Sequence, residues 1–160
     1  MKVLGEFVRK HGGIERRFTS SERRMLTNLA GGVIEAMQSA DDVASYTDPV
    51  VTRLLPVAYP DDPDAAAEYA GATRSRLAEA KSEAARRLVA DLEGAPGGVV
   101  HLDEPDAVRW LTALGDLRLA LAERVGFEEV QRSVHTPQGM LYAWLTWLQG
   151  SLVDAVEERG

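Results

Sequence analysis

The stretch Asp106–Val125, DAVRWLTALGDLRLALAERV, decides the fold. Its apolar side chains Val108, Leu111, Leu114, Leu117, Leu121 and Val125 recur at three- and four-residue intervals, and Trp110 and Ala113 widen the stripe. That is the period of an α-helix with one face, and part of a second, pressed into a core. Asp103 and Pro105 ahead of it are start signals and Gly126 is a stop, so the spacing predicts a helix over 104–125.

Downstream, Thr136-Pro137 opens a helix over 137–157 with Leu141, Trp144, Leu145, Leu148, Leu152, Ala155 and Val156 on one face. Tyr142 and Trp147 lie off that face, so this helix is covered on more than one side or makes an interface. Both are candidate partner-interface residues, because such aromatics often anchor interfaces.

Upstream, Val99–Leu102 is a short strand candidate, and its obvious partner is an N-terminal β-hairpin over 3–18. There GEFVRK and IERRF flank His11-Gly12-Gly13, whose glycine pair offers the positive φ values of a tight turn. Thr19 and Glu22 have capping-box spacing and start a helix over 20–38, with Met25, Leu26, Leu29, Ala30, Val33, Ile34 and Met37 as its core face. Gly31-Gly32 inside it suggests a neighbouring backbone passing close by. Asp48-Pro49 begins a short helix over 49–55 that Pro56 stops.

From Pro63 to Glu93 no proline intervenes, which predicts one helix over 63–93 closed by Gly94, with Tyr69, Ala72, Leu77, Ala80, Ala84 and Leu88 inward. Glu83 with Arg86 or Arg87, and Arg87 with Asp91, would make exposed pairs worth little. The expected fold is mainly α: a single domain over 1–160, a bundle of four to five helices with a small N-terminal hairpin.

Composition narrows the function. The formal net charge is −7, but residues 1–24 hold 7 basic and 3 acidic side chains while the remainder is strongly acidic. An acidic body argues against broad DNA binding, because phosphates would be repelled by most of the surface. The basic end leaves one alternative, a DNA-contacting regulator using Arg9, Lys10, Arg16, Arg17, Arg23 and Arg24. A solvated charged face is the plainer reading of the same residues.

With no cysteine in the chain, disulfides, thiolate metal sites and thiol redox sensing are excluded. The first ten residues are too short and too charged for a signal-peptide core. The uncharged run from Ser133 to Val153 approaches the length of a membrane span, but its His, Gln, Thr and Ser residues favour a buried core helix. A cytoplasmic protein without membrane contact is expected.

The sequence holds no Walker loop, HExxH or GxSxG, so the expectation is a non-enzyme with no catalytic residue, cofactor or metal site. Asp61, Asp62 and Asp64 cluster as metal ligands do, yet the adjoining prolines mark a helix start, where carboxylates are favoured. His101 reads as a lone strand histidine. Arg53, Lys81, Asp116 and Arg118 each sit among apolar neighbours, and the expectation is a structural ion-pair cluster fixing three helices together. The alternative is a small-ligand or acid/base site at Lys81 and Asp116.

Several stretches together resemble a known family. They are Phe18-Thr19 with Glu22, Leu26-Thr27-Asn28-Leu29, Asp48-Pro49, Arg53-Leu54-Leu55-Pro56 with Tyr59 and Asp61-Asp62, Lys81, Trp110-Leu111, Asp116 through Leu121, and Tyr142 with Trp144-Leu145 and Leu148-Gln149. The chain resembles, over residues 7–153, an actinobacterial domain-of-unknown-function family whose genes tend to lie beside the Clp protease adaptor gene. One branch is described as the oxidative-stress regulator AosR. The resemblance implies a non-enzymatic regulator of transcription or stress response acting through a protein partner, in that branch an extracytoplasmic-function sigma factor. A homodimer is a further candidate assembly. Sensing in that branch is attributed to an internal disulfide, which a chain without cysteine cannot form. Two further departures lie in the central helix, Gly115 where the family usually has Asn and Ala122 where it usually has Gly.

Overall fold

The structure, a computed structural model, describes residues 5–40, 47–55, 61–65, 73–126 and 135–158. It is mainly α, with a small three-stranded antiparallel sheet formed by β1 (Val8–Lys10), β2 (Gly13–Arg17) and β3 (Val99–Leu102) in that spatial order. The strand candidate at 99–102 therefore exists, registered so that Ile14 faces Leu102 and Arg17 faces Val99.

The hairpin turn uses His11 (φ 54°) and Gly12 (φ 78°), not the glycine pair. Positive φ at both central residues is the twist a two-residue hairpin requires. Gly13 is instead the first residue of β2, where a Cβ would lie 2.7 Å from His101 Nε2 and from the Leu102 carbonyl.

The helices are α1 (Ser20–Gln38), α2 (Pro49–Leu54), α3 (Ser75–Glu93), α4 (Glu104–Val125) and α5 (Pro137–Glu157). The Thr19–Glu22 capping box is complete, and Asp48, Asp103 and Thr136 each accept a hydrogen bond from a backbone N–H of the first turn they cap. Of the helix expected over 63–93, Ser75–Glu93 is observed and residues 63–65 are helical, while 66–72, including Tyr69, lie outside the described residues. Ala80 is exposed; the buried stripe of α3 runs through Ala78, Ala84, Ala85, Leu88 and Leu92.

Among the described residues α4 is the centre, touching α1, α2, α3 and α5 and both β2 and β3. Leu114, Leu117 and Trp110 are almost wholly buried, whereas Val108, expected in the stripe, is 56% exposed. Trp110 belongs to the other flank of the helix, where it meets Phe7 and Phe18 at ring-centroid distances of 6.0 and 5.7 Å and donates from Nε1 to Asp91. Centring the buried arc on Trp110 turns Val108 outward. Asp91 is thereby a partner of Trp110, and Arg87 pairs with Asp106 at 3.5 Å instead of with Asp91.

Gly32 is explained by a side chain, not a backbone: a Cβ there would lie 2.7 Å from the Arg124 guanidinium. Among the described residues no helix is long and apolar enough to cross a membrane.

Candidate functional site

The four polar residues singled out between apolar neighbours do not form one cluster. Lys81 on α3 donates to Asp116 Oδ1 on α4 at 2.7 Å, joining the two helices. Asp116 is 4% exposed, and its second oxygen, Oδ2, is buried with no hydrogen-bond partner. Burial pushes the Asp116 carboxyl above the usual carboxylate range, and Lys81 only partly offsets this.

Arg118 lies two residues further along, about 200° around the helix, and so faces another neighbour. It donates to Gln149 Oε1 at 2.6 Å and stacks over Tyr142, 5.3 Å from the ring centroid. Gln149 in turn donates to the Leu111 carbonyl. A Cβ at Gly115 would lie 3.3 Å from Gln149 Nε2, so the glycine gives this amide its room. Arg53 is half exposed on α2 and meets Glu123 at 3.8 Å, beside a shallow hollow of about 590 Å³ lined by Pro49, Thr52 and Leu119. The expected three-helix ion cluster is thus one buried pair, one arginine–amide–tyrosine bridge and one surface contact.

The basic N-terminal residues divide as sharply. Arg16 is buried, not solvated. It donates to both Glu22 oxygens at 3.2 Å and to the Gly5 and Arg17 carbonyls, with its guanidinium 4.4 Å from the Phe18 ring and about 6 Å from Trp144 and Trp147. Burial acts to raise the Glu22 carboxyl, but the hydrogen bonds from Arg16 and the Thr19 backbone outweigh it and hold it below the usual range.

Arg9 ties β1 to Glu104 and to the Val156 and Glu158 carbonyls at the end of α5. Arg23 donates to Ser20 Oγ, while Lys10, Arg17 and Arg24 are exposed.

His101 is not alone either. Its Nδ1 and that of His11 lie 3.0 and 3.1 Å from the same Glu15 Oε1, and hydrogen bonding to His11 and then His101 lowers the Glu15 carboxyl. Among the described residues no group of three or more His, Cys, Asp or Glu side chains is arranged to hold a metal ion. Asp62 caps its helix start by accepting from the Ala65 N–H.

One face of α5 also turns outward. Met140 is 60% and Trp147 38% exposed, and Ala143, Thr146 and Gly150 are exposed beside them. From Pro137 to Val153 this helix carries no charged residue. Tyr142 is half-buried under Arg118 and belongs to the α4–α5 junction. Trp147 is the more exposed of these two aromatics.

The model of the family described as "Domain of unknown function (DUF2017)" matches residues 4–156. The chain belongs to the DUF2017 family. Its curated relatives include the oxidative stress regulator AosR of Mycobacterium tuberculosis, 32% identical over 93% of this chain and 88% of the relative. The putative oxidative stress regulator AosR of Mycobacterium leprae is 32% identical over 95% and 90%. No solved structure matches the chain. The alignments run over 195 and 199 positions, more than the 160 residues of this DUF2017 member, so the relatives carry inserted segments.

Proposed function

We propose that this DUF2017 protein is a non-enzymatic, cytoplasmic regulator that acts in transcription under oxidative stress by binding a protein partner. The observation that carries the reading is the uncharged outer face of α5, with Trp147 at its middle, in a chain whose relatives are named oxidative stress regulators. A surface helix normally turns charged residues to water, and an uncharged exposed face with an aromatic anchor is the signature of a contact surface.

The partner class suggested by the family resemblance is an extracytoplasmic-function sigma factor. Because the chain has no cysteine, its redox input does not pass through a thiol of its own. The DNA-contacting alternative is weakened by the burial of Arg16 and the engagement of Arg9, which leave a small basic surface on an acidic protein.

The test is capture of sigma factors and RNA polymerase from the native host by the immobilised protein, under oxidising and reducing conditions. Retention of a transcription component, reduced at least tenfold by Trp147→Ala, supports the proposal. Recovery of none under either condition overturns it.

A further inference from the structure

Gly150 has no explanation inside the monomer. It stands within α5, exposed, and a Cβ placed on it would meet no heavy atom within 4 Å. Glycine is a poor helix residue. Gly31 of α1 is equally open but lies between Arg24 and Glu35, whereas the stretch Pro137–Val153 around Gly150 carries no charge and leaves room for something that approaches from outside. Ala143, two turns earlier, is also small and exposed. Ala143, Thr146, Trp147 and Gly150 have the i, i+3, i+4, i+7 spacing of the four-residue hole that receives a side chain from a facing helix. The hole therefore has small residues at both ends, and the helix that forms it also carries the bulky knob, Trp147, 38% exposed although one side of its ring lies 6.0 Å from the Arg16 guanidinium.

We infer that the occupant of this face is a second copy of the same chain, its α5 packed antiparallel about a two-fold axis near Trp147. A surface bearing both knob and hole is self-complementary, as an isologous interface must be. Pairing residues about that axis sets Ala143 against Gly150 of the copy, and lets each Trp147 enter the hole of the other.

Charge selects the same arrangement. The chain is acidic, so most apposed faces of two copies would set like charges together, but Pro137–Val153 has none. Beyond the hole, Asp154, Glu157 and Glu158 reach the N-terminal end of the copy's α5, whose dipole favours anions and where His135 lies. Parallel packing would set those acids against each other. The uncharged stretch is about 25 Å long, and one helix pair of that length buries less than the roughly 800 Å² per partner of a standard interface. The dimer is accordingly weak and depends on concentration.

The inference rests on reading α5 as the working face and names its occupant. The experiment is sedimentation equilibrium of the full chain from about 5 to 500 μM, a range that brackets dissociation constants of weak complexes, for wild type, Gly150→Leu and Gly31→Leu. Gly31 is the matched control, another helical glycine whose added Cβ meets nothing within 4 Å. Far-UV circular dichroism reports that both variants are folded. Wild type and Gly31→Leu are expected to dimerise alike, and Gly150→Leu at least tenfold more weakly. A wild-type monomer throughout the range, or a dimer that Gly150→Leu leaves intact, overturns the inference. If either occurs while Trp147→Ala still loses the transcription partner, only the occupant is wrong. If the dimer behaves as expected but no partner is captured, the proposed function fails and the dimer stands.

Discussion

Among the described residues, the Arg16–Glu22 and Lys81–Asp116 pairs are largely buried, and their carboxylates respond in opposite directions. Glu22 has both oxygens satisfied, by two nitrogens of Arg16 and the Thr19 N–H, and it is more acidic than usual. Asp116 has one oxygen on Lys81 and one on nothing, and it is less acidic than usual. The lesson is that burial raises a carboxyl unless hydrogen bonds to its charged form are numerous enough to win. Arg16, with a planar fork and aromatic rings around it, supplies those bonds; Lys81 supplies a single point charge.

Removing Arg16 should have the largest effect on stability. Arg16→Met leaves Glu22 unpaired, frees the Gly5 carbonyl and strips the cation from Phe18, Trp144 and Trp147. The expected loss is about 3–5 kcal/mol of unfolding free energy at pH 7, measured by urea titration.

Lys81→Met comes next, at about 3 kcal/mol, and its effect should depend on pH. Without Lys81 the buried Asp116 carboxyl rises further, so the folded state binds a proton more tightly than the unfolded chain. That stabilisation is complete below the unfolded value of 3.8 and is lost as pH rises through the raised folded value. The variant should therefore be closer to wild type at pH 5 than at pH 7. An equal deficit at both would show that the pair is held by packing and not by charge.

Glu22 carries the opposite sign and the smallest effect. Its folded value is depressed, so its contribution is present above the unfolded 4.5 and disappears as pH falls through the lower folded value. Glu22→Gln should cost about 1–2 kcal/mol at pH 7, and the cost should shrink towards pH 3. Thermal unfolding at the two pH values checks this.

Much of the fold could be read from residue order because caps and periodicity are local signals. α1, α4 and α5 begin and end at the residues expected from Thr19, Asp103-Pro105 and Thr136-Pro137, and β3 lies at 99–102. The site was less legible. Lys81 and Asp116 meet, but Arg118 finds its partners on α5, 31 and 24 residues away, through a helix rotation that spacing along one helix does not reveal.

Arg16 had a readable signal that charge counting hid: Ile14, Arg16 and Phe18 alternate along a strand, which places the arginine on the inward face with its two apolar neighbours. Val108 misled for the converse reason, since apolar spacing alone does not say which flank a tryptophan will draw into the core.

Buried ion pairs brace the helices of this protein, and the outer face of α5 around Trp147 is its proposed contact surface. Capture of the transcription partner at 10 °C, on folded samples of Trp147→Ala and Asp116→Asn side by side, separates the two roles. Capture should fall at least tenfold in Trp147→Ala and match wild type in Asp116→Asn. Loss of capture in folded Asp116→Asn with full capture by Trp147→Ala would contradict that division of roles and move the working site to the Lys81–Asp116 pair.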